Sequence, residues 1–136
     1  DAVANRERYR ALYRAIAQGF VTACHDLSDG GLGVALAEMA LGGRLGLSVS
    51  LDAAPVEGLE PMGPVQALYS ESAGRLLATV APGNQEAFEA LFEGQACGML
   101  GRVTDSGVME VKSGETVILS ESVEELAEAF KATLDW

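Results

Sequence analysis

The stretch "CHDLSDGGLGVALAEMALGG", Cys24–Gly43, decides the fold because it joins a polar turn to a helix that is apolar on nearly every side. The run "FVTAC" that leads into it predicts a short buried strand, which delivers His25 and Asp26 to its carboxyl end. The helix is predicted from about Gly31 to Leu41, where a glycine pair stops it. Strand, tight turn and helix therefore follow one another.

Three interpretations of the turn are open. Consecutive glycines at a helix N-terminus, Gly30 and Gly31, present backbone N–H groups and the positive end of the helix dipole, which favour phosphate or carboxylate. Asp26 and Asp29 would repel a bare phosphate, so either a cation such as Mg²⁺ intervenes or these acids meet hydroxyl or amine donors. The third interpretation is a structural turn in which Ser28 or Asp29 caps the helix and Gly30 takes a positive φ.

The sole histidine, His25, is by default a hydrogen-bonded structural group rather than a general base. Cys24 and His25 are adjacent on a strand and point to opposite faces, so they do not form a nucleophilic dyad. The helix that follows is too apolar to lie on a surface. The sequence favours docking of this helix onto a second packing surface, and a central position in the core is the alternative.

Length, charge and cysteine usage limit the class of protein. The 136 residues, 49% of them hydrophobic, predict one domain with one core over residues 1–136. A net charge of −11 argues against nucleic acid as a partner, and no apolar run is long enough to span a membrane. The cysteines lack a C-x-x-C spacing, which favours a reduced cytoplasmic compartment and argues against a metal site. A start at Asp1 without methionine predicts a piece of a longer multidomain chain.

Helical and strand patterns interleave along the rest of the chain. Strands are predicted at "LGLSVSL", "GRLLATVAP", "GMLGRVT", "VMEV" and "TVIL", and the proline-rich stretch 52–68 is predicted to be irregular. The fold class is therefore α/β or α+β, a mixed sheet covered by two or three helices. Three helices have predicted inward faces. The first helix turns Tyr9, Leu12, Tyr13, Ile16 and Phe20 inward, and the middle one (84–92) turns Phe88, Leu91 and Phe92 inward. The last helix begins with a Ser122/Glu125 capping box, and its predicted inward residues are Val123, Leu126, Phe130 and Leu134.

A second polar cluster, "YSESAGR" at Tyr69–Arg75, precedes one of these strands. Two serines, an acid and Arg75 at the mouth of a strand are able to grip a polar ligand, with the guanidinium available for a bidentate anion contact. The alternative is a serine-capped turn with a surface Glu71–Arg75 ion pair of little energetic value.

The two clusters together resemble a known family. "HDLSDGGLGVALAEMAL" followed by "LYSESAGRLLATVAPGNQEAFEAL" is similar to the last domain of the synthetase portion of phosphoribosylformylglycinamidine synthases, which is related to the C-terminal half of aminoimidazole ribonucleotide synthetase. The resemblance runs from "RYRALYRAI" to "SVEELAEAF". It implies an ATP-dependent carbon–nitrogen ligase of de novo purine (IMP) biosynthesis, which uses glutamine-derived ammonia to convert formylglycinamide ribonucleotide to the amidine.

The resemblance also implies the cofactors and partners. ATP and Mg²⁺ belong to the full-length enzyme, and this domain alone is expected to bind neither and to be inactive. The implied partners are a nucleotide-binding domain of the same chain and a glutaminase domain or subunit, with self-association of the isolated piece as a further case. No catalytic residue and no metal ligand is assigned. The residues implied to line the substrate or nucleotide cleft are His25, Asp26, Ser28, Asp29, Gly30, Gly31, Ser70, Glu71, Ser72 and Arg75.

Two alternatives to the purine enzyme are kept. The first is a non-catalytic assembly domain that docks its neighbours through the apolar helix. The second is a related ATP-dependent enzyme of the hydrogenase-maturation, selenophosphate or thiamine phosphate type. The "SES" run followed by "AGR" favours the purine enzyme.

Overall fold

The computed structural model describes residues 1–55 and 63–132 and contains five α-helices, two short 3-10 helices and six strands within them. Their bounds are α1 Ala2–Ala17, β1 Val21–Asp26, α2 Gly31–Gly43, β2 Gly46–Ser50, α3 Pro64–Tyr69, β3 Leu76–Val80, α4 Gln85–Leu91, β4 Gly101–Thr104, β5 Val108–Ser113, β6 Thr116–Ser122 and α5 Val123–Ala132. None of these helices is long and apolar enough to cross a membrane.

Every predicted strand is present, but the strands form two sheets rather than one. β1 and β3 make an antiparallel pair. The other four follow the order β4-β2-β5-β6, in which β2 and β5 run parallel and the outer pairs run antiparallel. The prediction of an α+β fold with a mixed sheet is therefore confirmed, and the larger sheet is the mixed one.

The stretch predicted to be irregular is helical in part. Pro64 opens α3, since proline is favoured in the first turn of a helix, where its missing N–H costs nothing. Pro55 lies just before the segment 56–62, and Pro61 falls inside that segment, outside the described residues. Reading prolines only as helix breakers made this part of the prediction wrong.

α2 is the central helix of the molecule. It contacts α3 and α5 as well as β1, β2 and β5. Four of its side chains are almost completely buried: Leu32, Ala35, Leu36 and Ala40. The predicted second packing surface on α2 is therefore wrong, because the protein's own helices and sheets cover this helix from several sides.

The inward face predicted for α1 is also wrong in part. Tyr9, Tyr13 and Ile16 are exposed by 48%, 72% and 50%, while the buried residues of α1 are Ala11, Leu12 and Ala15. Small alanine side chains let the helix approach a cluster that includes the predicted inward residues of α4: Phe88, Leu91 and Phe92. α1 therefore packs through its alanines and leaves an apolar stripe, Tyr9/Tyr13/Ile16, on the surface.

The capping box at the start of α5 is confirmed. The Ser122 hydroxyl accepts a hydrogen bond from the Glu125 backbone N–H at 3.1 Å, and the Glu125 carboxylate accepts from the Ser122 N–H at 3.4 Å. Val123 and Ala127 are buried, but Phe130 is 57% exposed, so the apolar face is covered only along the first turns. The predicted burial of Phe130 is wrong, and Leu134 lies outside the described residues.

Candidate functional site

The pairing of β1 with β3 brings the two polar clusters together. Asp26 at the end of β1 pairs with Leu76 at the start of β3, and the Leu27 N–H donates to the Arg75 carbonyl at 3.1 Å. In an antiparallel pair, the end of one strand lies beside the start of the other. The turn 25–31 and the loop 69–75 therefore meet at the same edge of this sheet.

Glu71 of the loop caps the first turn of α2. Its Oε1 accepts a hydrogen bond from the Gly30 N–H at 2.8 Å, across 41 residues of sequence. A carboxylate at a helix N-terminus satisfies an otherwise free N–H and interacts favourably with the helix dipole. The glycine pattern suggested that an anionic ligand binds at this helix N-terminus, but the protein's own Glu71 carboxylate lies there. A phosphate would have to displace Glu71 to reach the Gly30 N–H.

The structural-turn interpretation is correct for the backbone and wrong for the cap. Gly30 has a φ of 80° and Gly31 a φ of 61°, both in the left-handed region that glycine tolerates. Neither Ser28 nor Asp29 caps the helix, because the N-cap residue is Gly30, which has no capping side chain.

Gly31 is also required by a close approach of two backbones. A Cβ at this position would lie 2.6 Å from the Ser70 carbonyl oxygen and 2.8 Å from the Leu68 carbonyl oxygen. Both distances are too short for a carbon, and both partners are backbone atoms that do not move aside easily. The first residue of α2 therefore rests directly on the end of α3.

The acids of the turn point to solvent. Asp26 has 70% of its side chain exposed and accepts a hydrogen bond from the Ser28 hydroxyl at 2.5 Å. This hydroxyl, followed by a backbone hydrogen bond, lowers the pKa of Asp26 below its ordinary value. Asp29 is exposed as well. The turn thus presents carboxylates to the space in front of it.

The serine–aspartate contact is testable. Removing the hydroxyl in Ser28→Ala should raise the pKa of Asp26 toward its ordinary value, as seen in a ¹³C NMR titration of the carboxyl group. Because the pKa is depressed in the folded state, the contact stabilises the fold above the ordinary aspartate pKa. That contribution is lost as the pH falls through the folded-state pKa. Ser28→Thr keeps the hydroxyl and should keep the low pKa, and an unchanged titration in Ser28→Ala would contradict the assignment.

Arg75 makes its hydrogen bonds within its own loop. Its Nη1 donates to the Ser70 carbonyl at 2.9 Å and to the Ser70 hydroxyl at 3.0 Å, and the guanidinium is half-buried. Burial lowers the pKa of Arg75. The alternative of a surface ion pair with Glu71 is wrong, because no ion pair joins these two residues in the described part of the chain. Ser72 is exposed on the same loop.

His25 pairs with a residue that the sequence did not single out. Its Nε2 lies 3.1 Å from Glu38 Oε2, and its Nδ1 contacts the backbone carbonyl of Asp26. Glu38 is the single charged residue of α2. Its position as the single charged residue of an apolar helix was the signal in the sequence for this contact, because a carboxylate in apolar surroundings needs a polar partner.

α1 holds the loop from its other side. Arg8 Nη1 donates to the Gly74 carbonyl at 3.1 Å and to Asn5 Oδ1 at 2.9 Å. Gly74 has a φ of 86°, and a Cβ there would lie 2.4 Å from Asn5 Nδ2. Arg8 and Gly74 are 66 residues apart, so no local pattern in the sequence announces this contact.

The remaining polar features lie outside the two clusters. In residues 1–55 and 63–132, no three His, Cys, Asp or Glu side chains converge on a metal position. A cavity of about 300 Å³ is lined by Glu89, Phe92, Gln95, Cys97 and their neighbours, none of which belongs to the turn or the loop. Burial raises the pKa of the Cys24 and Cys97 thiols, which disfavours the reactive thiolate.

Comparisons with known proteins add three findings. The family model described as AIR synthase related protein, C-terminal domain, matches residues 1–114. The phosphoribosylformylglycinamidine synthase subunit PurL of Lacticaseibacillus paracasei is 39% identical over 134 residues, which is 98% of this chain and 16% of that protein. PurL of Thermococcus sibiricus is 34% identical over 121 residues, 89% of this chain and 16% of that protein.

Solved structures from Thermotoga maritima share the fold. The structure of PurLQS matches with a TM-score of 0.83 and 26% identity, over 93% of this chain and 22% of that chain. PurL complexed with FGAR matches with a TM-score of 0.83 and 27% identity, and PurL complexed with ATP with a TM-score of 0.77 and 26% identity. These two matches cover 93% and 87% of this chain and 21% and 20% of those chains. The chain thus spans about a fifth of the solved chains and at most 16% of these curated relatives.

Proposed function

We propose that this chain, which belongs to the family of AIR synthase related C-terminal domains, is the last domain of a phosphoribosylformylglycinamidine synthase. In that enzyme it would form one wall of a ligand cleft. The full enzyme would convert formylglycinamide ribonucleotide to the amidine with ATP and glutamine-derived ammonia. ATP phosphorylates the amide oxygen, and ammonia then displaces phosphate. The 136 residues would be one part of that longer chain and would not turn over substrate alone.

The observation that carries the proposal is the contact of the turn with the loop. The Gly30 N–H and Glu71 Oε1 are 2.8 Å apart, and Leu27 donates to the carbonyl of Arg75, so the turn and the loop that carry the residues assigned to the cleft lie side by side. Two segments held together in this way support a role in positioning a ligand, since phosphoryl transfer depends mainly on alignment and charge stabilisation.

The charge of this surface favours donor groups of the ligand. Asp26, Asp29 and Glu71 are exposed carboxylates, and Glu71 already occupies the Gly30 N–H. Hydroxyl or amine groups of a ribonucleotide or of ATP would donate to such oxygens, whereas bare phosphates would be repelled. We assign to this wall the recognition of hydroxyl and amine groups, and to other domains most of the phosphate contacts.

Magnesium would enter with the nucleotide. Mg²⁺ in such enzymes is held by one or two carboxylates together with phosphate oxygens and water. The described residues offer no cluster of three ligands, so this wall does not fit a separate protein-built metal site. The ion would therefore depend on phosphate oxygens and on carboxylates of other domains.

The exposed stripe Tyr9/Tyr13/Ile16 of α1 supports a contact with another domain of the same polypeptide. The relatives are at least six times longer than the part of them that this chain matches, which leaves ample chain to cover it. We therefore assign to α1 the contact with a neighbouring domain that the sequence suggested for α2. We assign the nucleotide-binding domain to the same chain, the glutaminase to a further domain or subunit, and the enzyme to the cytoplasm, where purine synthesis consumes ATP.

Substitution in the intact synthetase tests the cleft assignment. Asp29→Ala should lower kcat/KM about 10- to 100-fold, because a hydrogen bond to a charged group is lost. Glu71→Ala should lower it further, since the cap of α2 is lost together with the ligand contact. Steady-state kinetics with varied ribonucleotide and ATP measures both effects, and the exposed Glu124→Ala on α5 is the matched control. Unchanged turnover, ligand affinity and stability in both variants would remove these residues from a ligand-facing role.

A further inference from the structure

We propose that Glu38 is a positioning residue: it holds His25 as a brace across the strand–turn–helix corner, and His25 is not a proton-transfer group. This role rests on the proposed cleft function, because it concerns the shape of the same wall. Neither the resemblance nor the relatives' names assign any role to Glu38.

Both ring nitrogens of His25 are occupied by oxygen acceptors. Nε2 lies 3.1 Å from Glu38 Oε2, and Nδ1 contacts the carbonyl oxygen of Asp26. A carbonyl oxygen only accepts hydrogen bonds, so the Nδ1 side requires a proton on the ring. The Glu38 carboxylate lies against Nε2, the other ring nitrogen. Neither ring nitrogen can therefore turn to a substrate without breaking one of these two contacts.

The brace spans the corner that shapes the wall. His25 lies near the end of β1 and Glu38 lies in the middle of α2, so the pair joins the two elements that the turn connects. From His25 the contacts continue to the Asp26 carbonyl, and the next residue, Leu27, donates to the Arg75 carbonyl. A single bonded path therefore runs from α2 through the turn to the second loop.

Partial burial makes the pair suited to this task. The His25 and Glu38 side chains are 33% and 41% exposed, so each is shielded enough to stay in place yet open enough to avoid a large desolvation cost. The charged groups that face His25 are Glu38 from α2 and Asp26 from β1 itself, whose Oδ1 lies 3.9 Å from Nδ1. The rest of α2 carries no charged side chain that could replace Glu38.

The first experiment uses NMR on the 136-residue chain, where the sole histidine makes assignment unambiguous. ¹H–¹⁵N correlation spectra should show a slowly exchanging Nδ1 proton, because the Asp26 carbonyl holds it. In Glu38→Gln, the amide should take the place of the carboxylate beside Nε2 and keep the ring in the same orientation. Glu38→Ala should show a mobile ring and faster amide exchange at residues 27–31 by about 2- to 5-fold, the range expected for loss of a partly exposed ion pair.

The second experiment separates a brace from a general base in the intact synthetase. Glu38→Ala should raise the KM for the ribonucleotide about 10-fold while kcat stays within about 3-fold, and Glu38→Gln should restore most of the loss. His25→Gln keeps a donor toward Glu38 and should lower kcat less than about 10-fold. Loss of a general acid or base would instead slow turnover by roughly 10²- to 10⁴-fold. The exposed Glu128→Ala on α5 is the matched control for both experiments.

Two results would overturn the proposal. One is a freely mobile His25 ring in the unaltered chain, with spectra and amide exchange that do not respond to Glu38→Ala. The other is turnover by His25→Gln that falls at least about 100-fold, the range expected when a general acid or base is removed. An unaltered synthetase that fails to convert the ribonucleotide would contradict the proposed function instead, and the NMR result on the brace would still decide the role of Glu38.

Discussion

Gly31→Ala should lower the free energy of unfolding by about 2–5 kcal/mol. A left-handed backbone costs a residue with a Cβ about 1–2 kcal/mol, and the new methyl group would overlap the Ser70 and Leu68 carbonyl oxygens at 2.6 and 2.8 Å, which adds about 1–3 kcal/mol. Because both obstacles are backbone atoms, α2 and the end of α3 would have to separate. The same movement would disturb the Gly30–Glu71 contact, so ligand binding should suffer together with stability.

Urea unfolding followed by circular dichroism measures this effect, and α2 offers its own control. Gly42 is also a glycine of α2, but a Cβ there meets no atom within 4 Å and its φ is not positive. Gly42→Ala should leave stability unchanged or raise it by up to about 1 kcal/mol, because alanine favours a helix. Equal effects of the two substitutions would show that the close approach to α3 does not limit position 31.

Leu36→Ala should lower the free energy of unfolding by about 2–5 kcal/mol. The Leu36 side chain is 3% exposed in the largest core cluster, so its truncation removes buried apolar surface and leaves a cavity. This prediction also separates two views of α2. A docking helix would tolerate the substitution in the isolated chain and lose only association, whereas a core helix loses stability directly.

Leu45→Ala is the matched control, since Leu45 is 43% exposed and lies just beyond α2. It should cost less than about 1 kcal/mol. Thermal and urea denaturation of both variants provides the comparison. A Leu36→Ala protein as stable as the unaltered chain would mean that α2 is not held in the core as the structure describes.

Much of the local structure follows from patterns within about fifteen residues. The alternation in "LGLSVSL" predicts β2, and the spacing of Ser122 and Glu125 predicts the cap of α5, because both patterns reflect contacts between residues close in sequence. The alanine face of α1 is different. Periodicity indicates which side chains of α1 lie on one face. The space between α1 and α4 decides that the small Ala11 and Ala15 are buried in preference to Tyr13.

The sequence predicted a set of residues for the site but did not predict the hydrogen bonds that these residues make. The resemblance named Glu71 and Arg75 as ligand-facing, whereas the structure has Glu71 on the Gly30 N–H and Arg75 Nη1 on Ser70. Glu38 and Arg8 were missed entirely. Each is an ordinary charged residue of a helix, and its importance arises from a partner that lies 13 or 66 residues away.

The amino-acid sequence by itself determined the order of the six strands and of four of the five α-helices, the glycines at the start of α2 and the membership of the family. These depend on local conformational preferences and on motif content. Only the tertiary structure decided that α2 is a core helix, that the protein's own carboxylate caps it, and that His25 is tied to Glu38. The cap depends on the antiparallel pairing of β1 with β3, which joins segments about fifty residues apart, and the burial of α2 depends on the elements that pack around it. Pairing at that distance is set by the packing of the whole chain and leaves no periodic trace in the sequence.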